Sequence, residues 1–498
     1  MVNNFRGKIS NCSSTSSLLA IANKHYRFYK PNQVAVILKS FIKYRQLHSS
    51  DIPLKLICNL SFYIISSTFY PINLKNVSFK RDSKDFELLC RKAKEIIIKQ
   101  QVFDSVNPET TLTYFGYHLN YSNICVGQYL QLFNAMDELS KEIYGFSCYD
   151  LCKCLLPFFD ISLQGSLLLV PKEKFVQSLT RYGLSLKIID KVFENRKSLL
   201  STLYITDIPQ KMIGRIGIKN RNYLYIPNAF FILCNFLNGI LTNEKSNNIK
   251  GKLFEKIVIP LLKIRFTNAT IYHNYYVLKN NKLCEQDILL EYNNTLLIVE
   301  CKAQNFKGVL GNPTKAQERL DNNFRSVLKK ACIQCERANS FFKENGYIIL
   351  SDKKTTKSLK KGLQTYKIVI TLDDYLNLEQ NPNKIFNLNK KYQNTWIVNL
   401  SDFQKILLIN PKVDQLLNYI KFRSEDDSNI SSASLSELDI YGAYFSELHH
   451  YVRKAAESNG YVRFFAKNSF SQIFDKIDCQ LNDEEISKLY SHANNIVK

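Results

Sequence analysis

Several features that mark common protein classes are missing from this sequence of 498 residues. No Gly-x-x-x-x-Gly-Lys motif is present, which excludes a fused ATPase motor of the phosphate-loop type. The apolar run near the N-terminus, Leu18–Ala22, is too short for a secretory signal peptide. The longest apolar segment, Leu151–Val170, is interrupted by Lys153, Pro157 and Asp160, so we expect a buried helix and loop there and no membrane span.

The cysteines also lack the spacing of a known site. The thirteen cysteines are scattered, odd in number and without secretory context. The pairs Cys332-x-x-Cys335 and Cys152-x-Cys154 have no second half at the spacing of a zinc site. We therefore expect reduced thiols and a cytoplasmic location.

Positive charge is what the sequence has in excess. Lysine and arginine number 67 against 44 for aspartate and glutamate, which gives a net charge of +23. A charge of this size favours a polyanionic partner, and we expect nucleic acid, with double-stranded DNA as the first candidate. No basic amphipathic helix lies beside a hydrophobic anchor, so we expect no membrane partner. A composition rich in Lys, Asn and Ile is also typical of AT-rich genomes, which is a second explanation for part of the charge.

Length and pattern together predict a multidomain protein of α/β plus α class. Residues 1–245 contain mostly amphipathic helical windows and predict a helical N-terminal domain that binds substrate or a partner. Residues 246–411 alternate strands with helices, which predicts a central mixed β-sheet flanked by helices. Residues 412–498 predict a small helical C-terminal region, in which the acidic and Ser-rich segment Arg423–Ser434 forms a linker or exposed loop.

Two local patterns stand out in the N-terminal domain. Aromatic residues alternate with Lys and Arg in Lys24–Lys30 and Lys43–Arg45. Such residues can stack on bases while their cations meet phosphates, but core aromatics with a solvated basic face fit the same pattern. Met212–Ile218 and Asn222–Ile226 predict a short β-hairpin.

The central domain has a regular order of predicted elements. The helix Gly251–Ile264 comes first and contains Pro260, which should kink it or end it early. The strand Ala269–Val277 follows, and after a charged hairpin come a polar loop, Gln304–Asp321, and a long helix, Asn322–Asn345. Further strands are predicted at Tyr347–Leu350, Tyr366–Leu372 and Trp396–Leu400.

The charged hairpin, Leu283–Ala303, is the most informative stretch of the sequence. Its first half is rich in Leu and Ile, and residues 295–301 are almost all apolar, as in a strand buried on both faces. Asn293 and Asn294 lie between the two halves. Asparagine tolerates positive φ, so this pair predicts a two-residue hairpin loop.

A two-residue loop brings charged side chains together. In that register Asp287 faces Glu300, and Glu285 faces Lys302. Directly opposed residues have Cβ atoms about 5 Å apart, so two carboxylates repel each other unless a cation lies between them. Hard divalent ions such as Mg²⁺ take oxygen ligands of this kind, and a nearby ammonium can hold a water or steady negative charge on phosphorus. A surface ion pair between Glu285 and Lys302 is the alternative explanation.

These residues resemble the motif of a known family. Asp287, followed after twelve residues by Glu300-Cys301-Lys302, is similar to the pattern of the PD-(D/E)xK nuclease superfamily, which has the restriction-endonuclease-like fold. The resemblance covers about residues 246–411. It implies that Asp287 and Glu300 bind Mg²⁺, or alternatively Mn²⁺, and that Lys302 orients or helps to deprotonate the attacking water. Gln286 stands where the name of the motif has Pro, and many members lack that Pro.

Two further residues match positions that are functional in the resembled family. The segment Gly251–Glu255 is similar to its Gly-x-x-Phe-Glu helix, which implies that Glu255 is an additional metal-binding acid. The segment Ala331–Ala338 is similar to its Ala-x-x-Gln-x-x-x-Ala helix, which implies that Gln334 points at the active site. An exposed helical Glu and an ordinary Gln at the edge of a buried face are the alternatives.

The resemblance implies a divalent-metal-dependent endonuclease that hydrolyses DNA phosphodiester bonds. The settings implied are restriction, phage defence, or recombination and repair. A homodimer or a partner protein is expected, because cutting both strands needs two sites or two visits. Two alternatives stay open, a nucleic-acid-binding protein with an inactive nuclease-like domain and a nuclease directed at RNA or branched junctions.

Overall fold

The structure is a computed structural model of the chain. The residues described are 2–26, 79–99, 126–158, 168–195, 217–219, 223–226, 239–246, 249–304, 324–360, 362–375, 394–410, 412–424, 430–432, 437–445, 448–459 and 462–464, with isolated positions between them. Most of the predicted loop Gln304–Asp321 and of the basic and aromatic segments Lys24–Lys30 and Lys43–Arg45 lies outside these residues.

The described elements are fourteen α-helices and thirteen strands, numbered in chain order. The helices are α1 (Val2–Ser10), α2 (Thr15–Tyr26), α3 (Phe79–Lys99), α4 (Val126–Ala135), α5 (Asp137–Tyr144), α6 (Cys148–Leu155), α7 (Lys172–Arg181), α8 (Ile188–Val192), α9 (Lys250–Arg265), α10 (Lys330–Asn345), α11 (Leu400–Ile409), α12 (Val413–Ser424), α13 (Glu437–Phe445) and α14 (Leu448–Asn459). The strands are β1 (Leu168–Pro171), β2 (Phe193–Asn195), β3 (Gly217–Lys219), β4 (Tyr223–Ile226), β5 (Thr270–Lys279), β6 (Lys282–Tyr292), β7 (Thr295–Lys302), β8 (Tyr347–Ile349), β9 (Thr356–Ser358), β10 (Gln364–Thr371), β11 (Trp396–Asn399), β12 (Ile430–Ser432) and β13 (Val462–Phe464).

Contacts between residues divide the chain into two compact units. The first unit consists of Met1–Asp104, Phe115–Ser122 and Met136–Ser246. The second consists of Ser105–Tyr114, Asn123–Ala135 and Asn247–Lys498, so the central α/β segment and residues 412–498 belong to one unit. Helices occur together with mixed sheets, and the predicted α/β class is therefore confirmed.

The first unit contains a small sheet as well as helices. Its strand order is β1-β4-β3-β2, in which β2 and β3 are parallel and the other pairs antiparallel. The predicted hairpin is present as β3 and β4, with Ile218 opposite Tyr225, and the rest of its predicted first strand lies mostly outside the described residues. A Cβ at Gly217 would overlap the carbonyl oxygen of Tyr225, so this close approach requires glycine. The short strands β1 and β2 lie in sequence predicted as helical, because three or four residues carry no distinguishing period.

The second unit is built on a seven-stranded mixed sheet. Its strand order is β11-β10-β7-β6-β5-β8-β9. Strands β7, β10 and β11 run parallel, and the remaining neighbours are antiparallel. Lys302, Thr371 and Asn399 lie side by side where the three parallel strands end. Binding sites in α/β sheets are common at such carboxyl ends.

Strand β7 lies at the centre of the core. Residues 295–301 are all buried, as expected for a strand covered on both faces, and both α9 and α10 pack on β7. Burying a large apolar side chain contributes about 2 kcal/mol to stability. The buried side chains that the two helices supply are Phe254, Val258 and Leu262 from α9 and Ala331, Cys335, Ala338 and Phe342 from α10.

Pro260 does not end helix α9 early, which was one of the two effects predicted for it. The helix continues to Arg265. Pro260 and Lys256 are exposed, so water can bind the Lys256 carbonyl that the missing proline N–H leaves without its helical partner. Burial of Val258 and Leu262 on either side of the proline holds the helix on the sheet.

The C-terminal part of the second unit contains a buried charged cluster. Glu437 Oε1 accepts hydrogen bonds from Trp396 Nε1 at 2.8 Å, the Tyr419 hydroxyl at 2.6 Å and Arg423 Nε at 2.7 Å. The prediction that Arg423 begins a linker or exposed loop is therefore wrong, because its charge is paired inside the protein. Strand β12 lies in the segment predicted as a linker or exposed loop, and its parallel partner β13 lies in a segment predicted as helical.

The cysteines of the described residues are all free, as predicted. Within that same part of the chain, none of the helices has both the length and the apolar character needed to cross a bilayer.

Candidate active site

The charged hairpin has the predicted turn and register. Strands β6 and β7 are joined at Asn293 and Asn294, and Asn293 has a φ of +50°, which asparagine adopts at low cost. Tyr292 pairs with Thr295, and the ladder continues in the predicted register as far as Ile288 with Val299.

The predicted opposition of the acidic residues is not formed as a ladder pair. Pairing of β6 with β7 ends at Ile288 and Val299, one residue before Asp287 and Glu300. Beyond that point β7 continues beside β10 as far as Lys302, while β6 continues beside β5. The Cys301 N–H donates a hydrogen bond to Asp287 Oδ2 at 2.7 Å, so the Asp287 side chain is its acceptor in place of a β6 carbonyl.

The ladder on the other side of Asp287 is interrupted as well. His273 pairs with Ile288 and Tyr275 with Gln286, but Asn274 does not pair with Asp287. Asn274 has a φ of +51°, in the left-handed region. Asp287 therefore lies where both of its neighbouring strands leave regular pairing, a common setting for functional side chains.

Lys302 holds the two acidic side chains together. Its Nζ lies 2.8 Å from Glu300 Oε2 and 3.5 Å from Asp287 Oδ2. Burial lowers the pKa of Lys302, but the charges of Glu300 and Asp287 outweigh it, so the pKa lies above its usual range. Lys302 is therefore an ammonium at neutral pH.

Glu300 is the most strongly constrained acid of the site. It is fully buried in the centre of the sheet. Burial, together with the charge of Asp287, raises its pKa to about 8, and Lys302 only partly opposes this. Its Oε1 atom has no hydrogen-bond partner among the described residues. A buried carboxylate oxygen without a partner has capacity for a further ligand.

Helix α9 brings Glu255 into the same electrostatic environment. Burial is the main cause that raises its pKa, to about 7, and the charges of Asp287 and Glu285 add to it, against Lys302 and Lys252. The predicted Glu255 thus lies near the acids of the hairpin and feels their charge.

Gln334 and Glu285 are less closely tied to the site than predicted. Gln334 is half-buried on α10, and within the described contacts it donates no hydrogen bond to Asp287, Glu300 or Lys302. Glu285 does not pair with Lys302. Its Oε2 instead accepts a hydrogen bond from the Tyr276 hydroxyl at 3.1 Å.

Two residues next to the acids, Tyr275 and Tyr276, were not predicted as part of the site from the sequence. Tyr275 is fully buried, and its hydroxyl has no partner among the described residues. Burial, followed by the charges of Glu300, Cys335 and Asp287, raises its pKa far above its usual range. The tyrosines of β5 could be recognised only once the pairing of β5 with β6 was known, because nothing in their spacing differs from a core strand.

The donor set fits a hard divalent ion, although the side chains are not arranged as a closed metal site. Glu255, Asp287 and Glu300 supply carboxylate oxygens, the ligands that Mg²⁺ and Mn²⁺ prefer. Across the residues that the structure describes, no group of three or more His, Cys, Asp or Glu side chains is close enough to hold a metal ion. The Lys302 ammonium occupies the space between the two hairpin acids.

Comparison of the chain with protein-family models, with curated proteins and with solved structures finds no match. A function for this protein therefore has to be inferred from the geometry of the site.

Proposed function

We propose that this protein is a divalent-metal-dependent endonuclease of PD-(D/E)xK type that hydrolyses phosphodiester bonds in DNA. The observation that supports it is the cluster at the end of the β6–β7 hairpin, in which Lys302 Nζ lies 2.8 Å from Glu300 Oε2 and 3.5 Å from Asp287 Oδ2. Two acids and an ammonium converging on one point are the side chains that metal-assisted hydrolysis of a phosphodiester needs.

The roles of the residues follow from their charge and burial. Asp287, Glu300 and Glu255 would hold the ion, which supplies polarisation of the phosphoryl oxygen and a lower pKa for a bound water. Lys302 stays charged, because the adjacent acids raise its pKa. It therefore orients water and donates to a developing negative charge, and it is a poor general base at neutral pH. Gln334 is left with at most a positioning role.

A cleavage assay with matched variants tests the proposal. Supercoiled plasmid and linear duplex DNA are incubated with the protein in Mg²⁺, in Mn²⁺ or in EDTA. Glu300→Gln and Lys302→Met should each lower the cleavage rate by about 100-fold or more, because each removes charge stabilisation at the phosphorus. Glu291→Gln is the control, since Glu291 lies on the same strand four residues from Asp287 and is not part of the cluster.

Cleavage that survives in EDTA, or in both active-site variants, would refute the proposal. Circular dichroism of each variant separates a loss of chemistry from a loss of fold. Matched RNA duplexes and four-way junctions, assayed in parallel, test the variant of the proposal in which the nuclease acts on RNA or on junctions.

A second candidate function is a nucleic-acid-binding protein with an inactive nuclease-like domain. It is favoured by the ammonium of Lys302, which already pairs with Glu300 and Asp287, and by the lack of a closed three-ligand group in the described residues. Binding of DNA without cleavage of any substrate, in the presence of either metal, would support it.

The expected setting and assembly remain part of the proposal. Restriction, phage defence, and recombination or repair all need such an enzyme in the cytoplasm. Cutting both strands needs two sites or two visits, and for the first case we propose a homodimer or a complex with a partner protein. Light scattering with and without a cleavable duplex measures the assembly directly.

A further inference from the structure

The second unit carries an exposed lysine-rich hairpin at the edge of its sheet. Strands β8 and β9 pair antiparallel, and β9 is the last strand of the seven. Residues 351–360 contain four lysines and a single acid, and all four lysines are exposed. We call this segment the lysine hairpin. Its lysines are Lys353, Lys354, Lys357 and Lys360.

The single acid of the lysine hairpin holds the turn in shape. Asp352 accepts hydrogen bonds from the backbone N–H of Lys354 at 2.9 Å and of Thr355 at 2.8 Å, and from the Thr355 hydroxyl. The hydrogen bonds from Thr355 and from the backbone lower the pKa of Asp352. Lys353 and Lys354 therefore project from an ordered turn.

The sheet register places the lysine hairpin close to the candidate active site. Glu285 on β6 pairs with Tyr276 on β5, Tyr276 pairs with Ile349 on β8, and Ile349 pairs with Thr356 on β9. Neighbouring strands lie about 4.8 Å apart, so β9 is about 14 Å from β6 and about 19 Å from β7, which carries Glu300 and Lys302. The rise along one strand of DNA is about 3.4 Å per nucleotide, so these distances match about four to six nucleotides.

Lys353 has a backbone conformation that lysine rarely adopts. Its φ is +62°, while the other non-glycine residues with positive φ in the described chain, at four positions, are all asparagine. A bulky residue is less favourable in the left-handed region than Asn or Gly. The Lys353 ammonium lies 5.2 Å from the centre of the Tyr276 ring, whose hydroxyl bonds Glu285. A lysine is thus held in a strained turn, next to the rim of the acidic cluster.

We propose that the lysine hairpin binds the phosphate backbone of double-stranded DNA about four to six nucleotides from the phosphodiester bond at the active site. The inference rests on the proposed nuclease function for its location, but the binding itself does not require cleavage. Exposed lysines that follow a phosphate row give affinity without sequence preference, and their contribution falls with added salt.

A protective role for the same lysines is the competing explanation. Lysine on an edge strand prevents pairing with the edge of another sheet, and β9 is such an edge. That role does not account for Lys353 and Lys354, which lie in the turn before β9 and not on the edge strand itself.

The test compares two variants with the same change of net charge. In the hairpin variant, Lys353→Asn keeps a residue suited to positive φ, and Lys354→Gln and Lys357→Gln remove two further charges. The control variant carries Lys263→Gln, Lys343→Gln and Lys412→Gln, at exposed positions of the second unit outside the lysine hairpin. Fluorescence anisotropy measures binding to a labelled 30-base-pair duplex in EDTA at several salt concentrations, so that no cleavage contributes.

The hairpin variant should bind at least tenfold more weakly at about 0.1 M salt, with the slope of log affinity against log salt reduced by about 2 to 3. The control variant should bind like the wild-type protein. The inference would be overturned if both variants lost affinity equally, or if the hairpin variant bound DNA like the wild-type protein. It would also be overturned if aggregation were the only defect of the hairpin variant, or if the wild-type protein had no affinity for DNA. Wild-type binding without cleavage in Mg²⁺ would instead refute the nuclease function and leave the lysine hairpin as a DNA-binding element.

Discussion

Glu255→Gln gives a direct measure of how closely the acidic residues are packed. The substitution keeps the shape of the side chain and removes its charge. In the folded protein, burial and the charges of Asp287 and Glu285 raise the pKa of Glu255 from 4.5 to about 7. The folded state therefore holds this proton more tightly than the unfolded state. The resulting stabilisation is fully present below pH 4.5 and is lost as the pH rises through 7.

The size of the effect follows from the shift. Each pKa unit corresponds to about 1.4 kcal/mol, so a shift from 4.5 to about 7 sets an upper limit of about 3.4 kcal/mol. Glu255 is only half-buried and solvent screens its charge, so the expected loss in the wild-type protein between pH 4.5 and pH 8 is about 1 to 2 kcal/mol. In Glu255→Gln this loss should be absent.

The single tryptophan makes the assay specific for the relevant unit. Trp396 is buried in β11, in the same sheet as the acidic residues, so its fluorescence follows unfolding of the second unit. Urea unfolding at pH 5 and pH 8 is compared for the wild-type protein, Glu255→Gln and the control Glu291→Gln. If Glu255→Gln shows the same change in midpoint with pH as the other two, Glu255 does not lie among the acids and cannot be a ligand of the proposed metal.

Three further predictions use the same fluorescence assay. Mg²⁺ at ten times its dissociation constant should stabilise the second unit by about 1.4 kcal/mol at pH 8, and Glu300→Gln should abolish this gain; an equal gain in both proteins would place the ion elsewhere. Glu437→Gln should cost about 3 kcal/mol and shift the Trp396 emission, because Arg423 stays buried without its partner; a loss below 1 kcal/mol would mean that water replaces the carboxylate. Pro260→Ala should stabilise the protein by about 1 to 3 kcal/mol, because it restores the helical hydrogen bond to the Lys256 carbonyl; destabilisation would show that the proline ring itself packs against the protein.

The hairpin could be predicted because its determinants are local. Two asparagines fix the loop, the loop fixes the register, and burial of residues 295–301 follows from their apolar character. The buried row of α10 could be predicted for the same reason, since its period of 3.6 residues is carried by neighbouring turns.

The details of the site could not be predicted, because they depend on strands distant in sequence. The β6–β7 ladder ends before Asp287, while β7 continues beside β10, which begins 62 residues after β7 ends, at Gln364 and Lys302. The bond from Tyr276 to Glu285 depends on the pairing of β5 with β6. The ion pair with Glu437 buries Arg423, the first residue of a segment that has the composition of a linker.

The buried position of Glu300 is better explained by a chemical role than by a contribution to the stability of the fold. Glu300 lies between Val299 and Cys301 in a buried strand, where an apolar side chain would need no hydrogen-bond partner. Glu300 is fully buried, and one of its oxygens has no hydrogen bond among the described residues. Replacing a buried ion pair by apolar residues is often neutral or stabilising, so Lys302 does not explain why an acid is there. A buried acid of this kind raises the free energy of the folded state. Such an acid, next to Asp287 with its interrupted strand pairing, is expected where a ligand supplies the missing interaction. For Glu300, Asp287 and Lys302 we propose that this ligand is a divalent cation with a phosphate, whose charges are opposite to those of the three side chains.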